Sequence, residues 1–447
     1  MGGADPPLTK GAPGASFTYG GAWRLTRDLR VVTSSPEALC HNVFRRLDSK
    51  DRSLVGDPVH GPRQPAHRVI HRRTALKVPL ILAGGAALTS TPRAAAAGGG
   101  RWSVERAQGW HRAHRGLVGA NYIPSNAINQ LEMFQPETYD IRRIDAELVM
   151  ARRIGLNTIR VFLHDLLWTQ DRRGFIRRLM QFVTVAARRG IKPLFVFFDS
   201  CWDPRPALGP QRAPAPGVHN SGWVQSPGAE RLDDRKYVGV LKEYVTGVMN
   251  QFRNDDRVLG WDLWNEPDNP ATVYRKVERT DKDDLVAALL PQVFQWAREV
   301  DPSQPLTSGV WQGEWADPGK RSVIAGIQLD NSDVTTFHSY AEPRGFEARI
   351  AELTPLRRPI LCTEYLARSL GSSVEGILPI AQRLDVGAFN WGLVAGKTQT
   401  FLPWDSWDRP DPNPKVWFSD LLGPDGRPYR DSEIRAIRRL TPLLRAK

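Results

Sequence analysis

Cysteine is scarce in this chain, and common metal-binding motifs are missing. Three cysteines occur among 447 residues, at Cys40, Cys201 and Cys362, with neither a CxxC pair nor an HExxH motif. A disulfide framework and a zinc site therefore lack support in the sequence. We expect chemistry that needs no metal or cofactor.

The sequence also has little that would favour a membrane span or a nucleic-acid partner. The apolar stretch from Val78 to Leu88 is too short to cross a bilayer as a permanent helix. Residues 1–100 carry 14 Lys and Arg against 6 Asp and Glu, so most of the net charge of +13 lies there. Because the later residues contain no block of basic residues, we expect no nucleic-acid binding.

A secretory signal is indicated within the first hundred residues. The basic segment from His71 to Lys77 precedes that apolar stretch, and an Ala-rich segment follows it up to Gly98. These are the three parts of a signal peptide, and the paired arginines resemble a twin-arginine signal. We therefore predict an export signal over residues 69–97 and a periplasmic or extracellular protein; a buried helix is the alternative.

Residues 1–68 show no sustained hydrophobic periodicity and are rich in Pro, Gly and Arg. A signal peptide belongs near an N-terminus, so this segment is expected to be disordered or to reflect a wrongly assigned translation start. Residues 101–447 are expected to form one domain.

That domain alternates strand-like and helix-like segments. Apolar, β-branched runs of strand length predict eight strands. They cover Leu117–Tyr122, Asn157–His164, Pro193–Asp199, Val258–Glu266, Leu306–Trp311, Val334–Tyr340, Ile360–Glu364 and Gly387–Gly392. Apolar residues that return every three or four positions predict helices between the strands. The clearest are Ile141–Ile154, Phe175–Arg189, Lys236–Phe252 and Asp283–Val300, with a last one at Ser432–Leu440.

Eight such units favour a parallel sheet closed into an α/β fold of the TIM type, the (β/α)8 barrel. An open doubly wound sheet is the alternative. However, no Gly-rich phosphate loop follows the first predicted strand, which ends at Tyr122. In a barrel, functional residues lie at the carboxyl ends of the strands.

Two glutamates occupy such positions. Glu266 ends the fourth predicted strand and Glu364 ends the seventh, so the two carboxyl groups face each other across the barrel mouth. A β-glycosidic bond needs such a pair, because one group protonates the leaving oxygen while the other attacks or activates water.

Further polar and aromatic residues cluster at the same strand ends. Arg160 with His164, and His338 with Tyr340, are spaced to share one face of their strands, and Trp391 ends the eighth strand. Each one alone has a plausible structural role, so their joint placement at one rim is what indicates a site.

These residues resemble glycoside hydrolase clan A, closest to family 5 and the cellulase-like proteins around it, over roughly residues 115–420. The resemblance rests on the segment Trp264–Pro267, on Glu364, on His338–Tyr340, and on Arg160 and Trp391. It implies a retaining β-glycosidase with Glu266 as acid/base and Glu364 as nucleophile.

The same resemblance implies supporting roles. Asn265 is expected to bind the sugar 2-hydroxyl, Arg160 and Tyr340 to keep Glu364 ionised, His338 to lie near the acid/base, and Trp391 to stack under the sugar. One departure from the family pattern is noted: where family 5 enzymes often place a His near the end of the third strand, this chain has Asp199 followed by Cys201 and Trp202.

The connection after the third strand, Ser200–Arg231, is long and Pro-rich, and Trp202 and Trp223 in it are candidates for stacking on sugars. A β-linked oligo- or polysaccharide is the expected partner, with cellulase-, mannanase- and xylanase-like substrates all compatible, as are endo and exo action. A non-catalytic carbohydrate-binding barrel and a transglycosylase that uses the same residues are the alternatives. The sequence does not determine the oligomeric state.

Overall fold

The computed structural model describes residues 100–441. The predicted export signal and the segment 1–68 lie outside these residues. Within them, no helix is both long and apolar enough to span a membrane.

The described chain alternates strands and helices as predicted. The strands are β1 (Val118–Asn121), β2 (Thr158–Phe162), β3 (Lys192–Asp199), β4 (Gly260–Asn265), β5 (Leu306–Thr307), β6 (Thr335–His338), β7 (Ile360–Tyr365) and β8 (Gly387–Asn390). The helices of five or more residues are α1 (Val104–Ala113), α2 (Gln130–Phe134), α3 (Ile141–Ile154), α4 (Asp165–Arg188), α5 (Arg235–Phe252), α6 (Lys282–Glu299), α7 (Val323–Asn331), α8 (Pro343–Leu353), α9 (Val374–Arg383) and α10 (Asp431–Leu440).

The eight strands are parallel and form a barrel. Their order in the sheet is β5-β4-β3-β2-β1-β8-β7-β6. A parallel bridge between Val310, which follows β5, and Phe337 of β6 closes the gap between the two ends of this order. The fold is therefore the predicted (β/α)8 TIM barrel.

Local signals explain why several element boundaries were predictable. Helix α3 begins after Asp140, whose carboxylate accepts the backbone N–H groups of Arg142 and Arg143, and it ends at Gly155 with φ of 105°. Gly190, between α4 and β3, likewise has a positive φ of 67°. Each glycine lets the chain turn sharply from a helix into the next strand.

Most boundaries lie within two residues of the sequence prediction, and three differences have a clear local cause. Strand β5 is shorter, because the Ser308 N–H bonds the Ser332 side chain instead of a neighbouring strand. Strand β2 ends at Phe162, since the ring of His164 caps the next helix. That helix, α4, begins ten residues earlier than predicted, and a break at Asp171 (φ −156°, ψ 73°) disrupts its periodicity.

The core places an apolar layer beneath the polar residues of the barrel. Six buried residues in or directly before strands form a cluster separate from the main core: Leu117, Leu194, Leu259, Val334, Leu361 and Phe389. Leu194 is paired in register with Arg160, so the cluster faces the same side of the sheet as that buried guanidinium. Polar groups are thus concentrated towards the carboxyl ends of the strands.

Candidate active site

Glu266 and Glu364 meet at the barrel mouth. Glu266 directly follows β4, Glu364 lies near the end of β7, and both side chains are buried. One carboxylate oxygen of each, together with a ring nitrogen of His338, lie within 4.8 Å of one another. Residues from three strand ends therefore converge on one point.

Glu364 is held by a cation and a phenol. Its Oε1 accepts a hydrogen bond of 2.8 Å from Nη1 of Arg160, and its Oε2 accepts one of 2.6 Å from the Tyr340 hydroxyl. The Nδ1 atom of His338 lies 3.6 Å from Oε2. These contacts stabilise the ionised form of Glu364 and fix its orientation.

Arg160 is fully buried, and each N–H group of its guanidinium has a hydrogen-bond acceptor. Asp262 accepts from Nε at 3.0 Å and from Nη2 at 2.8 Å, Asn121 accepts from Nη1 at 2.9 Å, and Asn265 accepts from Nη2 at 2.7 Å. A buried guanidinium needs such partners, because leaving it unpaired costs several kcal/mol, on the order of 3–5. Asp262 and Asn121 were not predicted from the sequence; the carboxylate of Asp262 within the otherwise apolar fourth strand was the available signal.

Glu266 has a different set of neighbours. Its Oε1 lies 2.7 Å from Nδ1 of His338, and its Oε2 accepts from Nδ2 of Asn269 at 2.7 Å and from the Cys201 thiol at 3.2 Å. Its backbone has a φ of 40°, in the left-handed region that a residue with a long side chain rarely adopts. Such strain is typical of functional positions, where the surrounding structure imposes it.

The pKa values of these groups follow from burial. Burial raises the pKa of Glu266 and also that of Glu364, where His338, Arg160 and Tyr340 oppose the effect. Burial lowers the pKa of His338 to about 4, so this ring is neutral at neutral pH. The sequence analysis expected Arg160 and Tyr340 to lower the pKa of Glu364; they do act in that direction, but burial outweighs them.

Asp199 connects β3 to this cluster. Its carboxylate accepts from Nδ2 of Asn265 at 2.9 Å, from the Trp223 indole at 2.6 Å and from the backbone N–H of Cys201 at 3.0 Å. Asp199 thereby orients Asn265, whose other amide atom accepts from Arg160.

The aromatic residues divide into two groups. Trp391 is partly exposed, packs edge-on against Phe162 and Trp223, and lines one cavity with both. Trp202 is also partly exposed and stacks on Trp407 with ring centres 5.4 Å apart. Trp223 is only 2% exposed and belongs to the core under Trp391. The prediction that Trp223 stacks on a sugar is therefore wrong.

His164 lies apart from the hydrogen bonds of the two glutamates. Its ring is buried, Nδ1 accepts the backbone N–H of Leu166, and the same atom lies 3.0 Å from Asp165. The hydrogen-bonded strand β2 ends at Phe162, but the backbone at His164 is still extended (φ −148°, ψ 136°), so the shared face with Arg160 stays a prediction. Its contacts are those of a residue that positions the start of α4.

Glu266, His338 and Glu364 are the one group of His, Cys, Asp and Glu side chains in residues 100–441 with a spacing that could hold a metal ion. The Arg160 guanidinium, 2.8 Å from Glu364, would repel a cation there. Both carboxylates already accept hydrogen bonds from nitrogen, oxygen or sulfur donors. The arrangement suits proton transfer and nucleophilic attack better than metal binding.

No protein-family model matches the sequence. Among solved structures, GH5_18 from Streptomyces cattleya in complex with GlcNAc is 15% identical with a TM-score of 0.50, covering 73% of this chain and 79% of that one. A variant of it in complex with Manβ1-4GlcNAc is 15% identical with a TM-score of 0.50, covering 74% and 81%. A β-mannanase from the blue mussel Mytilus edulis is 16% identical with a TM-score of 0.48, covering 73% and 91%. The chain thus has the barrel fold of family 5 glycoside hydrolases, as its sequence resemblance implied.

Proposed function

We propose that this protein is a retaining β-glycosidase that acts on a β-linked oligo- or polysaccharide. The observation that carries the proposal is the meeting of Glu266 and Glu364, with one carboxylate oxygen of each no more than 4.8 Å from the other. Carboxyl groups about 5–5.5 Å apart are typical of retaining enzymes, whereas inverting enzymes need about 6.5–9.5 Å to admit a water molecule.

The two carboxyl groups divide the chemistry according to their neighbours. Glu364, paired with Arg160 and Tyr340, attacks the anomeric carbon and forms a glycosyl ester while the bond to the leaving oxygen breaks. Glu266, whose pKa burial raises, gives its proton to that oxygen. In the second step Glu266 takes a proton from water, the water oxygen bonds to the anomeric carbon, and the Glu364 carboxylate leaves.

The remaining predicted residues support these steps. Asn265 is bonded to Arg160 and Asp199, and in this proposal its side chain binds the sugar 2-hydroxyl beside the reacting carbon. Trp391 offers a partly exposed ring as the platform for that sugar, and Trp202 extends the aromatic surface. His338, being neutral, keeps Glu266 oriented without adding a charge.

The test is product release from β-1,4-glucans, β-1,4-mannans, xylans and aryl β-glycosides, with the Glu364→Gln variant as control. Because GH5_18 from Streptomyces cattleya is seen with Manβ1-4GlcNAc, this disaccharide joins the panel. Activity that is lost in the variant, with the β-anomer as first product, supports a retaining glycosidase. Glycan binding without turnover by the wild-type protein would instead favour the carbohydrate-binding barrel. Products longer than the substrate would favour a transglycosylase.

We also propose that the protein is exported by the twin-arginine route. The proposal rests on the basic, apolar and Ala-rich segments within residues 69–97. A reporter that folds before export, fused after residue 100, should reach the periplasm or the medium. Replacing Arg72 and Arg73 with Lys should retain the reporter in the cell, and export that persists in this variant would exclude the route.

A further inference from the structure

The two glutamates divide the rim of the barrel into two sectors. Glu266 follows β4 and Glu364 lies at the end of β7. In the sheet order, β3, β2, β1 and β8 lie on one side of the line between them, and β5 and β6 lie on the other. A glycan across the scissile bond must have one sugar in each sector.

In the first sector, the segment after β1 is bonded to the long loop after β3. Asn129 donates from its side chain to Gln211 at 2.8 Å and to the carbonyl of Gly222 at 2.9 Å. Gln130 donates to the carbonyl of Val224 at 2.7 Å. Asn129, Gln130, Gly222 and Val224 are buried, so these bonds are shielded from water.

The same loop is bonded to the loop after β8. The side chain of Gln399 donates to the carbonyls of Ala215 at 2.7 Å and Val218 at 3.0 Å, and it accepts from the N–H of Gly217 at 3.1 Å. The backbone N–H of Asn220 donates to the carbonyl of Thr398 at 2.8 Å. The stack of Trp202 on Trp407 joins the two loops again.

The segment after β1 also contacts the loop after β8 directly. The backbone N–H of Lys397 donates to the carbonyl of Ser125 at 3.0 Å, and the Lys397 ammonium lies 2.6 Å from Glu132. A side chain at Gly396 would meet the Ser125 carbonyl oxygen at 2.3 Å, so the backbones are in close contact. Segments 122–140, 200–231 and 391–430 therefore form a continuous structure over this sector, which we call the rim wall.

The opposite sector has a low rim over β6, whereas residues 308–322 connect β5 to α7. Only residues 339–342 connect β6 to α8. A glycan can therefore extend over β6 more readily than through the rim wall.

The proposed sugar-binding residues lie on the walled side. Asn265 bonds to Arg160 of β2 and Asp199 of β3, and Trp391 packs on Phe162 of β2. These residues are proposed to bind the sugar whose anomeric carbon is attacked. That sugar is the one on the non-reducing side of the cleaved bond, so the rim wall limits how many sugars precede it.

We propose that the enzyme is exo-acting and cleaves its glycan from the non-reducing end, with the leaving chain extending over β6. The inference rests on the proposed function, since it needs the scissile bond between Glu266 and Glu364. It adds that the substrate is a chain end.

The test uses pentasaccharides of β-1,4-linked mannose, glucose or xylose that carry a fluorescent label at the reducing end. We expect labelled products that shorten stepwise from the opposite end, and cleavage that stops when the non-reducing terminal 4-hydroxyl is methylated. Early labelled products of every length, or full cleavage of the methylated substrate, would overturn exo action and leave the hydrolase assignment intact. Absence of turnover with these probes and with all aryl β-glycosides would instead overturn the proposed function.

A variant tests whether the rim wall is the cause. Gln399→Ala removes three hydrogen bonds between two wall segments and touches neither glutamate. Internal cleavage of the methylated substrate should rise several-fold, whereas Gln292→Ala, an exposed glutamine change on α6, should leave the products unchanged. Matched melting temperatures and aryl glycoside turnover would show that the variant is folded. Unchanged products from such a folded Gln399→Ala variant would refute the role of the wall.

Discussion

The Cys201 thiol donates a hydrogen bond to Oε2 of Glu266 across 3.2 Å. It joins Asn269, which donates to the same oxygen at 2.7 Å. Hydrogen bonds to a carboxylate favour its charged form, so both contacts lower the pKa of Glu266 against the effect of burial. The thiol thus helps to set the pH at which Glu266, the proposed acid/base, gives up its proton.

Replacing Cys201 should therefore change the pH dependence as well as the rate. In Cys201→Ala the pKa of Glu266 rises, so the alkaline limb of the kcat/KM profile should move to higher pH. Cys201→Ser keeps a donor and should keep the limb near its wild-type position. The kcat/KM pH profiles of both variants and the wild type on one aryl glycoside test this. Identical alkaline limbs in wild type and Cys201→Ala would exclude an effect of the thiol on the pKa of Glu266.

Removing Glu364, the proposed nucleophile, should abolish turnover of every substrate. Glu364→Ala loses the carboxylate that forms the glycosyl ester, and we expect kcat to fall by more than about 10³-fold. Azide should restore cleavage of an aryl β-glycoside and give a product of inverted configuration, because the small anion attacks directly in place of Glu364. Product configuration by NMR is the readout, and a β-azide from this variant would argue against the assignment.

Removing Glu266, the proposed acid/base, should still allow cleavage of substrates with good leaving groups. Glu266→Ala cannot protonate the leaving oxygen, but a dinitrophenolate needs little protonation, so its release in the first step should remain fast. Natural β-glycans should lose about 10²–10⁴-fold in kcat/KM. Pre-steady-state bursts with aryl and natural substrates measure this, and equal losses for both would contradict the role of Glu266.

The Arg160–Asp262 pair should matter for stability and catalysis separately. Both side chains are fully buried and joined at 2.8 Å, so Arg160→Met leaves Asp262 uncompensated and should cost about 3–5 kcal/mol in the free energy of unfolding. Adding Asp262→Asn removes that charge and should recover part of the loss, while activity stays low because Glu364 still lacks its cation. Urea unfolding of the single and double variants gives the coupling; recovery of activity in the double variant would place Arg160 outside the catalytic machinery.

His338 should make the fold less stable in acid. Its pKa is about 4 in the folded protein, below the ordinary value of about 6.5. Above about pH 6.5 the ring is neutral in both the folded and the unfolded chain, so it does not destabilise the fold. As pH falls from 6.5 to 4, the unfolded chain binds a proton that the folded chain does not, and stability decreases by at most about 1.4 kcal/mol per pH unit from this group. His338→Gln should lose less stability than wild type between pH 7 and 4.5. Chemical unfolding of both proteins at pH 7 and pH 4.5 tests this. Equal losses in the free energy of unfolding would rule out the effect of His338.

Much of the fold could be predicted from the sequence alone. The caps at Asp140 and Gly155 act within a few residues, and burial of strands on both faces leaves an apolar run visible in the sequence. The exceptions were β5 and the start of α4. At these two places a side chain accepts a backbone N–H: Ser332 accepts from Ser308, and His164 accepts from Leu166. The periodicity of apolar residues does not predict such hydrogen bonds.

The sequence by itself determined the alternation that predicts a barrel, and it put Glu266 and Glu364 at strand ends. Only the tertiary structure decided how these residues are supported. Asp262 and Asn121 accept hydrogen bonds from Arg160, and Cys201 donates one to Glu266. Gln399 bonds the loop after β8 to the loop after β3. The physical reason is range: periodicity and capping depend on neighbours along the chain, whereas these hydrogen bonds join residues tens to hundreds of positions apart. Their geometry exists only once the barrel has closed and the loops have packed against one another.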